Sequence, residues 1–255
     1  MATLVQDSVT PLQDIKRFRE AWNSVCQPTN SNTKAAPKEA QFFPYSFQGG
    51  AVAAIAGDDF VVVAGDTRMS HNGMAILTRD FKKVYKLNDK VYLASAGFTG
   101  DITELVKILR TRMRMYKFNF HEDLGVDAAA EMLARTLYYK RFFPYYAANV
   151  LVGIDSKGNG ALYTYDPVGC IERVPYSVQG ACTAIMEPFF DSHIGFKHQP
   201  AECRIPLTKE RAVTICKDAF RAASERETGT GDSLFIITLS KSDGMKEELI
   251  KLRSD

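Results

Sequence analysis

Two short runs near the front of the chain restrict its fold more than any other feature. Ala51–Ala56 and Phe60–Ala64 are apolar at every position, and only Gly57-Asp58-Asp59 separates them. A strand with one face in water alternates apolar and polar residues, so an unbroken apolar run needs cover on both faces. The break between the runs is short enough for a tight hairpin. The chain is therefore expected to bury an antiparallel strand pair with a further layer against each side.

The rest of the pattern says what those layers are. Val84–Leu87 and Val91–Ala96 flank Asn88-Asp89 as a second hairpin. Ile102, Leu105, Val106, Leu109, Met113 and Tyr116 then form one helical stripe, with Asp101 and Glu104 at capping-box spacing. A second helix is predicted from about Asp127 to Phe142, where Pro144 stops it. Val150–Ile154 and Ala161–Tyr165 bracket a glycine-rich turn as a third hairpin. Helices follow near Thr183–His193 and from Thr208, where Ala212, Ile215, Cys216, Ala219, Phe220 and Ala223 share a face. Leu234–Leu239 and a final strand near Glu247–Leu252, joined through Asp243-Gly244, close the order.

Hairpins alternating with pairs of helices do not make the β-α-β order of a parallel doubly wound sheet. They predict an α+β fold, a four-layer α-β-β-α sandwich of two antiparallel sheets with helices outside. This domain is expected over residues 42–255. Residues 1–41 read as an N-terminal extension. In it Leu12, Ile15, Phe18, Trp22 and Val25 mark a short amphipathic helix, and Thr29–Lys38 is a polar tract with nothing to bury. Asp7, Asp14 and Glu20 argue against an organellar targeting peptide, which is poor in acids.

Charge and cysteines exclude several functions. Thirty-two basic against thirty acidic residues leave a net charge of +2, no field to gather nucleic acid. No apolar stretch approaches the ~20 residues of a membrane span. The five cysteines, Cys26, Cys170, Cys182, Cys203 and Cys216, form no C-x-x-C pair, and no secretory leader is expected ahead of them. Reduced thiols in the cytosol or nucleus are expected. His193 and His198 lack the cysteine partners of a zinc site, Cys182 lacks a histidine at recognisable spacing, and no phosphate-cradling glycine motif is present. No metal or cofactor is expected.

Phe47-Gln48-Gly49-Gly50-Ala51 through Gly57, followed by Val62–Arg68, resembles the opening of proteasome β subunits. Lys82–Leu87 and Ala96–Asp101 are similar to the next two signature segments of that family. Tyr139–Tyr146, Tyr163–Gly169 and Gly229-Thr230-Gly231-Asp232 are most similar to its non-catalytic class at the sixth position of the eukaryotic ring. The resemblance runs in order from about Phe42 to the C-terminus. It implies the N-terminal nucleophile hydrolase sandwich, in agreement with the order of elements above.

Active members of the family expose a threonine by cutting a Gly–Thr bond. An alcohol attacks only when a base removes its proton, and the chain's own α-amino group serves. The resemblance places the family's carboxylate on Asp66, followed by Arg68, and its lysine on Lys83 by the Lys-Lys-Val match, whereas counting from Asp66 gives Lys82. The later acidic and hydroxyl positions fall on Glu227 and Thr230, both changed in type. The nucleophile position, counted back sixteen residues from Asp66, is Gly50. Glycine offers no oxygen, and the nearest upstream hydroxyl, Ser46, lies beyond Gly49. No catalytic residue is therefore expected. The second reading is an active threonine-type peptidase processed to a different nucleophile.

Read as a structural set, Asp66, Lys83 and Arg68 tie two hairpins together. Some of Phe142-Phe143-Pro144-Tyr145-Tyr146 should meet another subunit, because five such residues in a row cannot all face inward. The resemblance implies as partners the other β subunits of a seven-membered ring, the α-ring subunits, the opposite β ring and assembly chaperones. It implies cytoplasm and nucleus as location.

Overall fold

The computed structural model describes residues 45–200 and 204–254. The amphipathic stretch Leu12–Val25, the polar tract after it, the expected boundary at residues 41/42, Cys26 and Cys203 lie outside the described residues.

In chain order the strands are β1 (Ala51–Ala56), β2 (Phe60–Asp66), β3 (Met69–His71), β4 (Ala75–Thr78), β5 (Val84–Lys86) and β6 (Val91–Gly97). Helices α1 (Thr99–Phe120) and α2 (Val126–Tyr138) follow. Next come β7 (Ala147–Ile154), β8 (Gly160–Tyr165), β9 (Ile171–Arg173) and β10 (Tyr176–Gly180). Helices α3 (Thr183–Phe190) and α4 (Lys209–Ser224) precede β11 (Ser233–Ser240) and β12 (Gly244–Lys251). One antiparallel sheet has the order β10-β1-β2-β11-β12 and the other β5-β6-β7-β8-β9, while β3 and β4 make a separate ribbon.

The apolar runs of the first hairpin divide their side chains between two layers. Ala51, Ala53, Ile55, Val62 and Ala64 pack outward against Met186, Phe190, Cys216 and Phe220 of α3 and α4. Val52, Ala54, Val61 and Val63 face Tyr92, Val150, Val152 and Leu162 of the second sheet. That sheet sends Leu93, Leu151 and Ala161 the other way, onto Ile102, Leu105, Leu133 and Leu137 of α1 and α2. Three apolar seams between four layers are the expected helix–sheet–sheet–helix sandwich. The residues of these seams are buried, and each large apolar side chain among them contributes roughly 1.5–3 kcal/mol against leaving it exposed.

Four local expectations change. Asp101 is no helix cap: α1 starts at Thr99 behind Phe98, and the Asp101 carboxylate accepts the Tyr146 N–H at 2.8 Å. The second helix ends at Tyr138, four residues early. Lys140 and Arg141 donate to the carbonyls three residues back instead of continuing the α pattern. The cause is Pro144, which pushes its predecessor Phe143 out of helical geometry, so the chain tightens and leaves before it. The helix from Thr183 stops at Phe190 and widens to a π turn over Asp191–Gly195. The ribbon β3–β4 and the short strands β9 and β10 are additions to the expected order.

Candidate functional site

The end of β2, the start of β5 and the turn before β11 converge on Gly50, which directly precedes β1. Their meeting follows from sheet register. β2 pairs with β1 through Val52–Gly65 and with β11 through Leu234–Asp66, so Asp66 emerges between the two partner strands.

The Asp66 carboxylate is fully buried. Oδ1 accepts the Ala51 N–H at 2.8 Å, and Oδ2 accepts the N–H groups of Arg68 at 3.1 Å and Gly231 at 3.3 Å. Lys83 Nζ stands 3.0 Å from Oδ1. The same nitrogen donates to the backbone carbonyls of Asp66 at 3.0 Å and Arg68 at 2.5 Å. Three acceptors match the three protons of an ammonium, so the pair is satisfied as ions. Burial pushes the Asp66 carboxyl up and the Lys83 ammonium down from their ordinary values, and their mutual attraction opposes both shifts.

Of the two candidate lysines, Lys83 is the one inside the site. Lys82 is exposed, with its Nζ 4.8 Å above the Phe235 ring.

Gly50 is buried with φ +81°, in the left-handed region that penalises a side chain. A Cβ built there would fall 2.1 Å from Lys83 Cε and 2.6 Å from Nζ, inside the volume the lysine fills. The Gly50 nitrogen is a peptide N–H that donates to the Gly229 carbonyl at 2.9 Å. An amide nitrogen in that state has no basic lone pair, so in the intact chain position 50 supplies neither attacking oxygen nor base.

Glu227 and Thr230 bond to partners other than Asp66 and Lys83. Glu227 Oε1 accepts the Gly229 N–H at 3.1 Å within its own turn. The fully buried Thr230 hydroxyl accepts from the Cys182 thiol at 3.1 Å. Burial pushes that thiol up to about 11, so Cys182 is a neutral thiol at physiological pH and a poor nucleophile.

A second charged cluster borders the first. The Arg68 guanidinium meets Asp232 at 2.8 Å and 3.4 Å and also donates to the carbonyls of Thr228 and Arg253. Arg79 joins Asp232 from the rim at 2.5 Å. Burial pushes the Asp232 carboxyl up, and the two arginines override it and hold the group below its ordinary value. Sequence reasoning assigned Asp232 no role. Its one signal was its place at the end of Gly229-Thr230-Gly231-Asp232, and its left-handed φ of +65° is visible only in the fold.

A family model described as "Proteasome subunit" matches residues 46–239, which carry every side chain of this site. The chain belongs to the proteasome subunit family. Within the family it is similar to proteins named "Proteasome subunit beta type-1". The one from Caenorhabditis elegans is 40% identical over 243 residues, covering 95% of this chain and 94% of that protein. The one from Danio rerio is 45% identical, covering 86% and 92%. The one from Arabidopsis thaliana is 43% identical, covering 86% and 99%. Among the described residues of this proteasome subunit, no helix is long and apolar enough to cross a membrane.

Proposed function

We propose that this proteasome subunit is a non-catalytic β subunit of the 20S core. It forms part of the wall of the chamber in which unfolded and ubiquitin-tagged proteins are degraded. Its contribution is interaction energy with the other β subunits of a seven-membered ring, the α ring and the opposite β ring. Assembly chaperones, and a location in cytoplasm and nucleus, belong to the same reading.

One observation carries it. At the position where active relatives would hold threonine stands a glycine whose missing side chain leaves room for Lys83, with 2.1 Å between a built Cβ and Lys83 Cε. The site keeps a buried ion pair and has lost the oxygen. Asp66 and Lys83 act as structural groups, because removing either partner of a buried pair leaves an uncompensated charge.

The test is exposure of the assembled particle to a threonine-directed electrophile, followed by intact mass and N-terminal sequencing of this subunit. The expected result is an unlabelled chain whose N-terminus lies upstream of Gly50, since the chain cannot cut itself there. Labelling at an N-terminal Ser, Thr or Cys of this subunit favours the second reading, an active threonine-type peptidase.

A further inference from the structure

The sheet β10-β1-β2-β11-β12 ends differently on its two sides. The outer edge of β10 is covered by α3. There the Val178 N–H donates to Glu187 Oε2 at 2.8 Å, and the Gly180 carbonyl accepts the Thr183 hydroxyl at 2.9 Å. Beyond β12 no described strand follows, and its 8 residues make it the longest strand at a sheet margin.

The register says which groups face that open side. The Leu252 N–H donates to the Asp232 carbonyl at 2.9 Å, whereas the Ser233 carbonyl turns the other way to accept the Thr67 N–H at 2.8 Å. Successive residues of an antiparallel ladder alternate in this respect. Ile250, Glu248 and Lys246 therefore bond back to β11, while Lys251, Leu249, Glu247 and Met245 point their N–H and C=O groups outward. Among the described residues those outward groups have no partner. Met245, Glu247 and Leu249 stand opposite Leu239, Ile237 and Phe235, which belong to the seam between the two sheets. Its apolar surface thus runs on into solvent at Leu249, 67% exposed, and Met245, 47% exposed.

We propose that β12 pairs with β12 of a second copy of this chain, antiparallel about a two-fold axis through Leu249. The two five-stranded sheets then become one. Charge chooses this register. Centred on Leu249, the pairing sets Leu249 against its own copy and Glu247 against Lys251 on both sides of the axis. Centred on Glu247, it would oppose like charges; centred on Glu248, it would set Glu247 against Leu249 and Lys251 against Met245. Unlike charges directly opposite are stabilising and like charges destabilising. Neither Glu247 nor Lys251 makes an ion pair with the described residues of its own chain, so both are available. The order Glu247, Leu249, Lys251 is complementary to its own reverse, as an isologous two-fold contact requires. Backbone bonds and the Leu249 contact hold the pair, and the exposed charges fix register more than affinity. The contact concerns the chain outside the ring and goes beyond the function proposed above.

The full chain, purified alone at tens of micromolar, is expected to be a dimer by native mass and sedimentation. Glu247→Lys sets lysine against lysine, and Lys251→Glu sets glutamate against glutamate. Each variant alone should dimerise about tenfold more weakly. Mixed, the two should recover the original affinity as a heterodimer, because a basic strand then meets an acidic one. Leu249→Cys, made together with Cys170→Ser, should give under mild oxidation a disulfide joining position 249 of two chains. A hydrogen-bonded pair puts those Cα atoms about 5.5 Å apart, within disulfide reach. Met245→Cys on the same background lies off the axis and should give no such link.

A monomeric unsubstituted chain overturns the proposal and leaves the edge to a different partner. A dimer that both charge variants keep at full strength also overturns it, as do weakened variants that do not recover on mixing. Should a charge variant fail to fold, amide exchange in the unsubstituted chain decides. Slow exchange at Glu247, Leu249 and Lys251 that quickens about tenfold on dilution upholds the pairing, and exchange independent of concentration refutes it. None of these results depends on whether position 50 reacts with an electrophile.

Discussion

Arg68 and Asp232 lie 164 residues apart in the chain and meet at 2.8 Å with almost no exposure to solvent. The contact joins the end of β2 to the turn before β11. The C-terminal segment closes over it, with the Arg253 carbonyl accepting from Arg68 and the Ser254 carbonyl from Arg79. Asp232→Asn keeps the shape, and asparagine tolerates the left-handed backbone there, so the substitution isolates the charge. It leaves the Arg68 guanidinium buried without its anion, and a cost of about 3–5 kcal/mol is expected in urea unfolding of the full chain.

The same aspartate gives a pH dependence with a defined sign. Its folded carboxyl titrates below the ordinary value of about 4 because Arg68 and Arg79 outweigh burial. Its contribution to stability is fully present above that ordinary value and is lost as pH falls through the folded one. Acid unfolding of Asp232→Asn should therefore show a shallower loss of stability below about pH 4 than the unsubstituted chain.

Gly50→Thr is expected to restore nothing. The new side chain meets Lys83 and the backbone is held at φ +81°, a combination that costs about 1–3 kcal/mol. Thermal melting should report the loss, and a threonine-directed electrophile should leave the variant unlabelled. Combining Gly50→Ala with Lys83→Ala should destabilise by less than the sum of the single changes, since the second removes the atoms with which the first collides.

Among the described residues, thiol reactivity separates the buried Cys182 and Cys216 from the exposed Cys170. Burial raises Cys182 to about 11 and Cys216 to about 12, while Cys170 lies at the surface. Iodoacetamide at neutral pH followed by peptide mass mapping should modify Cys170 and leave Cys182 and Cys216 untouched until the chain unfolds.

Phe142 is 98% exposed and Tyr139 82%, next to the turn that ends α2. In the full chain alone, Phe142→Ser should shift stability by less than ~0.5 kcal/mol. If this patch meets a neighbouring subunit, the same change should weaken incorporation into the assembled particle, read as subunit occupancy by native mass. Full occupancy would assign the cluster to plain surface.

How much of this was written in the chain depends on what fixes each element. The strands β1, β2, β6, β7 and β11 were legible because a strand buried on both faces has no choice of residue type. The strands β3 and β9 have three residues each, with a single buried position in β3 and none in β9, so no period could form. Gly50 and Asp66 were legible from their motif. The choice between Lys82 and Lys83 was not, because neighbouring residues point to opposite sides of an extended chain. Packing alone sends Lys83 to Asp66 and Lys82 over Phe235. Asp232 was missed because its partners come from Arg68 and Arg79, and sequence distance hides such a triad.

The order β10-β1-β2-β11-β12 has a consequence for synthesis. Both lateral neighbours of the first hairpin come from the later part of the chain, β10 at Tyr176–Gly180 and β11 at Ser233–Ser240. A growing polypeptide therefore carries this hairpin with both edges bare until β10 has been made, and with the β2 edge bare until β11 has. Such edges recruit other chains, and pairing at this sequence separation closes slowly. The β1–β2 hairpin thus waits for strands made more than a hundred residues later, which makes the nascent subunit a client for any factor that covers open strand edges.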